Sequence, residues 1–345
     1  MPILLLFSIF YIACRSNEPS TQLQYKKSVE WVHLQQNGDL FVSRWSQSNT
    51  GWLQNQGHHT VHLWQKGQSD ITAQFHAPHN YVHWNTQSIG KDPQSTPIDV
   101  LVVGNSRSTL SSITNIETNS TSLHLENQTH YDDWNLRMYG TWDPAIKTIY
   151  TTSATTDTMQ EINDTNKSIS TVFSISSADI GWLQVGKQSI MLQGHGMLIE
   201  RETINAVAKT QSIYIFATEF QACIDTVDDM TWGWYTQNNT LYALSRASII
   251  QNDNTLALQI SNAASPVTSM TIYIEMHTPQ HIGTEEPFSH ISTLEKTILS
   301  SSFSFSNIFW YKQKGTYTIH TNDTDMQGNL WVITKQNSPM MNDAL

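Results

Sequence analysis

Apolar and polar residues alternate with a period of two along most of this chain, a pattern that suits half-buried extended strands and does not fit helices. In 29-VEWVHL-34 and 39-DLFVSRW-45 two such runs flank Asn37-Gly38. That dipeptide favours a two-residue hairpin turn of type I′. The run 231-TWGWYTQNNTLYALSRASIIQNDNTLALQIS-261 and the segment 267-VTSMTIYIEMH-277 read together as a four-stranded antiparallel meander. Further strands are expected at 97–103, 134–142, 180–185, 211–220, 302–313 and 329–335. Helical signals are few: Ser292-x-x-Glu295 within 290–300 is a capping-box pattern, and 199–210 fits either helix or strand. Many strands at short spacing indicate an all-β protein of antiparallel β-sandwich or barrel units with few short helices. No fixed-period repeat marks a propeller or solenoid.

The 345 residues suffice for two packed β domains. The polar, charge-poor stretch at about 153–168 is the expected boundary, giving units at 25–152 and 169–345. Charged residues make up 14% of the chain, against roughly 25% in an average soluble domain. Asn, Gln, Ser and Thr take their place, interleaved with enough apolar residues to build a core. The net charge of −11, with only 18 Lys and Arg, argues against a nucleic-acid partner, which needs clustered cations.

The amino terminus reads MPILLLFSIFYIAC. Its apolar run has the length of a secretory signal core and is too short to span a bilayer. The ending Tyr11-Ile12-Ala13-Cys14 resembles the lipobox of bacterial lipoproteins, with Tyr11 where Leu is usual and no cation before the run. That resemblance implies a signal peptide at 1–14, lipidation at Cys14 and a polar tether at 15–24. The expected location is then secreted or cell-envelope, with membrane contact only through the anchor. With Cys14 acylated, Cys223 has no disulfide partner and reads as a buried thiol.

Six of the fourteen histidines fall in 57-GHHTVHLW-64 and 75-FHAPHNYVHW-84. On a strand, His58 and His62 stand about 13 Å apart, too far to share one ion whose nitrogen ligands lie about 2 Å away. The zincin spacing also fails, because His59 occupies the place of the general base. A metal site therefore requires strand pairing that sets His62 opposite His79 or His83. The alternative is a set of polar histidines on a solvent-facing surface. His195, between Gly194 and Gly196, is presented for acid–base chemistry or simply occupies a turn. The acidic pairs Asp132-Asp133 and Asp228-Asp229 read as turn residues, since neighbours on a strand point to opposite faces.

Trp232 and Trp234 share one face of a strand about 6.6 Å apart, and Trp45, Trp64 and Trp84 lie near the histidines. Aromatic faces among neutral hydrogen-bonding groups suit sugar rings. The sequence therefore points to a glycan or similar ligand on a Trp- and His-lined surface. Two other readings stay open: a polysaccharide-degrading enzyme of β-sandwich type, and a lipocalin-like carrier of a small apolar molecule. No cofactor is specified by any motif.

Overall fold

A computed structural model describes residues 25–50, 53–67, 70–77, 82–85, 99–103, 106–115, 120–131, 134–142, 147–153, 168–176, 181–185, 187–204, 210–227, 230–237, 240–244, 249–252, 255–261, 269–286, 293, 307–320 and 325–337. Every element longer than one residue among them is a strand, and the protein is all-β. The signal-like segment, Cys14 and the tether lie outside the described residues, as do His79 and both acidic pairs. Of the expected helix at 290–300 only Thr293 is described, in helical conformation.

Three antiparallel sheets form. The first contains β1 (Tyr25–Gln35), β2 (Leu40–Thr50), β3 (Leu53–Trp64), β4 (Ile71–Ala77), β10 (Lys147–Ser153), β11 (Ser168–Ser176) and β14 (Gly194–Ile204), ordered β10-β11-β14-β1-β2-β3-β4. The second contains β5 (Val82–Asn85), β6 (Asp99–Val103), β7 (Ser106–Asn115), β8 (Ser120–Tyr131), β9 (Trp134–Trp142), β12 (Gly181–Val185) and β13 (Gln188–Leu192), ordered β13-β12-β9-β8-β7-β6-β5. The third contains β15 (Thr210–Ala217), β16 (Phe220–Val227), β17 (Met230–Gln237), β18 (Thr240–Leu244), β19 (Ile249–Asn252), β20 (Thr255–Ser261), β21 (Ser269–Met276), β22 (Gln280–Glu285), β23 (Ile308–His320) and β24 (Asp325–Gln336). Its order is β18-β17-β16-β15-β24-β23-β21-β20-β19, with β22 also on β23, and β18 comes back close to β20. This sheet nearly closes into a barrel.

The pairing bears on two expectations. The stretch 153–168 joins β10 to β11, which pair with each other in one sheet. The chain passes between the first and second sheets several times, and the third sheet begins after Ile204, at Thr210. The expected meander divides as well: β17–β18 is one flank of the third sheet and β19–β20–β21 the other, with β15, β16, β23 and β24 between them. Local alternation specifies strands, but the partner of a strand is chosen by which faces bury together.

The β1–β2 turn also differs from the two-residue form. The Gln35 amide donates to the Asp39 carbonyl, and the Gly38 amide donates to the Gln35 carbonyl. The loop therefore holds three residues, closed by Gly38 at φ +85°. Only one left-handed residue is needed in such a loop, and glycine takes that backbone without steric cost.

The first sheet is buried on both faces. No residue from Ser28 to Gln35 is more than 9% exposed. One face carries Val32, Leu34, Val42, Trp64, Met197 and Ile199 into a core shared with Tyr214, Phe216, Trp234, Trp310 and Ile333 of the third sheet. The other presents Val29, Trp31, Phe41, Trp45, Val61 and Leu63, all buried. A second cluster, including Ile213, Ile224, Tyr235, Leu258, Ile274 and Val332, fills the third sheet.

Charge crosses the shared core. Glu30 of β1 is fully buried and accepts from Lys335 Nζ at 2.7 and 2.8 Å, from Arg201 Nη1 at 2.8 Å and from the Tyr214 hydroxyl. Arg201 also donates through Nε and Nη2 to both oxygens of Asp225, at 2.8 and 2.9 Å. Burial alone would raise the Glu30 pKa, but Lys335, then Arg201 and Arg44, hold it down to about 2. Removing one partner of a buried charge group leaves the others desolvated and uncompensated. Glu30→Ala is expected to destabilise the protein by about 3–5 kcal/mol, read as a lowered midpoint in urea unfolding; a loss under about 1 kcal/mol would contradict this account.

Candidate functional site

The three clustered histidines of β3 are buried, at 4%, 0% and 2% exposure for His58, His59 and His62. The solvent-facing strand surface expected of them is not formed, because both faces of the first sheet are covered. His59 stacks on Trp45 across the β2–β3 ladder, with ring centroids 4.6 Å apart, and its Nε2 lies 3.0 Å from Ser43 Oγ. His62 stacks on Trp64 at 5.0 Å, and its Nδ1 is 3.3 Å from Thr72 Oγ1. Its cross-strand neighbours are Val42 and Thr72. The metal arrangement that needed His62 opposite His79 or His83 is therefore not made: His83 belongs to β5 in the second sheet, facing Val102. No cluster of three or more metal-ligating side chains occurs among the described residues.

Four of the five tryptophans expected to form a ligand platform also lie inside. Trp45, Trp64, Trp232 and Trp234 are at most 7% exposed. Trp84 lies on β5, opposite Leu101. Trp64 covers Gly283 so closely that a Cβ there would sit 2.2 Å from the indole nitrogen. Behind it Trp310 donates Nε1–H to Glu285 Oε1 at 2.7 Å, while Arg44 pairs with the other oxygen of Glu285. These rings join two sheets and cannot accept a sugar on their faces.

Open space occurs elsewhere. A cleft of about 510 Å³ lies between the ends of β1 and β14 and the β15, β23 and β24 strands. That volume falls in the range of small-molecule sites. Its polar lining comes from Gln35, His195, His277, Lys314 and Asn329, and its apolar lining from Leu34, Phe216, Leu330 and Trp331. His195 is the one residue singled out from the sequence that reaches this cleft. It stands opposite Leu34 in the β1–β14 ladder. Gly194 makes that approach: a Cβ there would lie 2.0 Å from the Leu34 carbonyl oxygen.

The β1–β2 hairpin tip forms one wall. Lys312 Nζ donates to the Gly38 carbonyl at 2.6 Å, and the Gly38 Cα faces the Trp331 ring, which a Cβ would meet at 3.3 Å. Lys312 and Lys314 place their ammonium groups 5.1 and 5.2 Å from the Trp331 ring centre, a favourable cation–π arrangement. Lys312, Lys314 and Trp331 share a face because 312 and 314 are two apart and Lys314 pairs with Trp331. Sequence reasoning passed over Gln35, Lys314 and Trp331, since each sits in an ordinary alternating run and only strand pairing joins them.

Burial lowers the pKa of His195 below the ordinary imidazole range. Burial takes His33 to about 4, with His195 adding a smaller push, and burial takes His59 to about 3. These imidazoles are neutral near pH 7, each with one donor and one acceptor nitrogen. A group held below its unfolded pKa contributes stability above the unfolded value and loses it as pH falls through the folded one. For His33 and His59 that window runs from 6.5 down to about 4 and 3; for Glu30 it runs from 4.5 to about 2. Equilibrium unfolding should therefore weaken steadily below about pH 6, by about 3 kcal/mol each for His33 and Glu30 and about 5 kcal/mol for His59. A flat urea midpoint between pH 7 and 4 would contradict the burial of these histidines.

No protein-family model and no curated protein matches the chain. Among solved structures it is similar to CghA, with a TM-score of 0.52 at 7% identity, covering 91% of this chain and 88% of that one. Kievitone hydratase from Nectria haematococca aligns over 92% of this chain and 90% of its own length, at 12% identity and a TM-score of 0.42. At such identity the likeness to CghA is one of fold: the arrangement of sheets is shared along nearly the whole of both chains.

Proposed function

We propose that this protein binds a small amphipathic organic molecule in the cleft between its first and third sheets. The cleft itself carries the reading: about 510 Å³ of open space, with Leu34, Phe216, Leu330 and Trp331 in its walls and about as much polar surface from Gln35, Gln36, His195, Thr218, His277, Lys314 and Asn329. Apolar walls supply affinity by burying ligand surface, and the polar groups set orientation. This favours the carrier reading over a glycan platform, because Trp45, Trp64, Trp232 and Trp234, which would have stacked on sugars, are enclosed. Catalysis on the bound molecule is the second reading, favoured by His195. Its half-buried imidazole has a lowered pKa and stays neutral near pH 7, the state of a general base.

The amino-terminal segment supports export of this binding protein, with Cys14 as the acylated first residue of the mature chain. Intact mass of protein purified from membranes of a bacterial host should show residues 1–13 removed and a lipid added. A mature chain keeping Met1, or one cut elsewhere without lipid, would end the anchor reading.

The cleft is tested with N-phenyl-1-naphthylamine, an uncharged apolar dye that fluoresces when shielded from water. Wild type is expected to give saturable enhancement. Asn329 is exposed at the cleft wall, so Asn329→Trp should fill the space without disturbing the core and weaken dye binding at least tenfold. No saturable binding by folded wild type would overturn the reading.

A further inference from the structure

Resting on that reading, we infer that the cleft selects an organic anion, its carboxylate or sulfonate held by Lys314 and the Gln35 amide while its apolar body lies against Leu34, Phe216 and Leu330.

Three observations carry this. The first is charge. The chain holds 29 acidic against 18 basic residues, yet no Asp or Glu lines the cleft, while Lys314 does. Lys314 is exposed and forms no ion pair among the described residues; its ammonium rests beside the Trp331 ring. Its neighbour Lys312 is already committed to the Gly38 carbonyl. The ammonium of Lys314 is thus a charge without a carboxylate in the cleft lining, which favours an entering anion.

The second is Gln35. It is only 9% exposed, lines the cleft, and its side-chain nitrogen has no hydrogen-bond partner. A buried amide donor left unsatisfied is costly, and native structures keep few of them without a use. The two ends of an amide exchange by a half-turn about one bond, so this group can present its N–H to an acceptor in the cleft. The hairpin fixes its position: the Gln35 amide donates to the Asp39 carbonyl, and its own carbonyl accepts from Gly38.

The third is the company of these groups. Asp39, the carboxylate nearest in sequence to Gln35, is engaged away from the cleft: it accepts from the Lys66 amide at 2.9 Å and from the Asn37 side chain at 2.8 Å. His195 is neutral and half-buried, able to donate one N–H to the same anion. One cation and two neutral donors beside an apolar wall suit a ligand with a single anionic head.

A matched pair of dyes tests this. 1-Anilinonaphthalene-8-sulfonate and N-phenyl-1-naphthylamine share one aromatic framework and differ by the sulfonate. Wild type is expected to bind the sulfonate at least tenfold more tightly. Lys314→Met keeps the chain length and removes the charge; it should abolish most of that preference, with an unchanged urea unfolding midpoint reporting that the fold is kept. Gln35→Leu should lower sulfonate affinity several-fold on the same background, and retained binding of the uncharged dye reports that the cleft is still folded. Equal affinities for the two dyes, or a Lys314→Met protein that keeps the sulfonate preference, would overturn anion selection while leaving the cleft as a ligand site. Sulfonate binding undiminished by Asn329→Trp would place the anion elsewhere and overturn it too. Failure of wild type to bind either dye would remove the ligand reading itself.

Discussion

One carboxylate, that of Glu30, ties the middle layer of this molecule to the barrel-like sheet. It lies on the central strand of the first sheet with no exposure, and its partners Lys335 and Tyr214 belong to the third. Arg201, from the neighbouring strand of the first sheet, bridges Glu30 to Asp225 of the third. Such a group need not add net stability, because desolvation offsets much of the attraction. What it supplies is alignment. Apolar side chains tolerate a shift of one sheet over another, whereas four charged groups that satisfy each other in one placement leave uncompensated charges in every other.

The same seam produces the cleft. Where β1 ends, the hairpin tip leans on the third sheet through Lys312 and Trp331. Between that contact and the charged core the walls of the two sheets stand apart, and His195, Gln35 and Lys314 meet across the space from three different strands. A second polar bridge, of Arg44 with Glu285 and Trp310, holds β2 to β22 farther along. The cleft is thus bounded by fixed attachments, which suits a site that keeps its shape before a ligand arrives.

Strand identity was legible because the side-chain period of a strand is two, and that period is written locally. The runs around 29–45, 134–142, 211–217 and 329–335 all appear as strands. The site was legible only in His195, whose flanking glycines mark a close backbone approach. The tryptophans misled for a definite reason. An indole on an alternating strand has the same sequence signature whether its face meets solvent, a ligand or another sheet, and here the first sheet is buried on both of its faces. The histidines misled likewise: His59 and His62 look like exposed polar positions, but stacking on Trp45 and Trp64 lets neutral imidazoles sit in the core.

The sequence by itself determined an all-β chain and many of its strands, because alternation acts over a few positions. Tertiary structure alone decided which strands share a sheet, that polar faces such as Glu30 and Arg201 would be inside, and that Gln35, His195, Lys314 and Trp331 would border one cleft. Those outcomes depend on contacts across as many as 305 positions, as between Glu30 and Lys335. At that range burial, charge compensation and register select the partner, and no short stretch of the chain carries the choice.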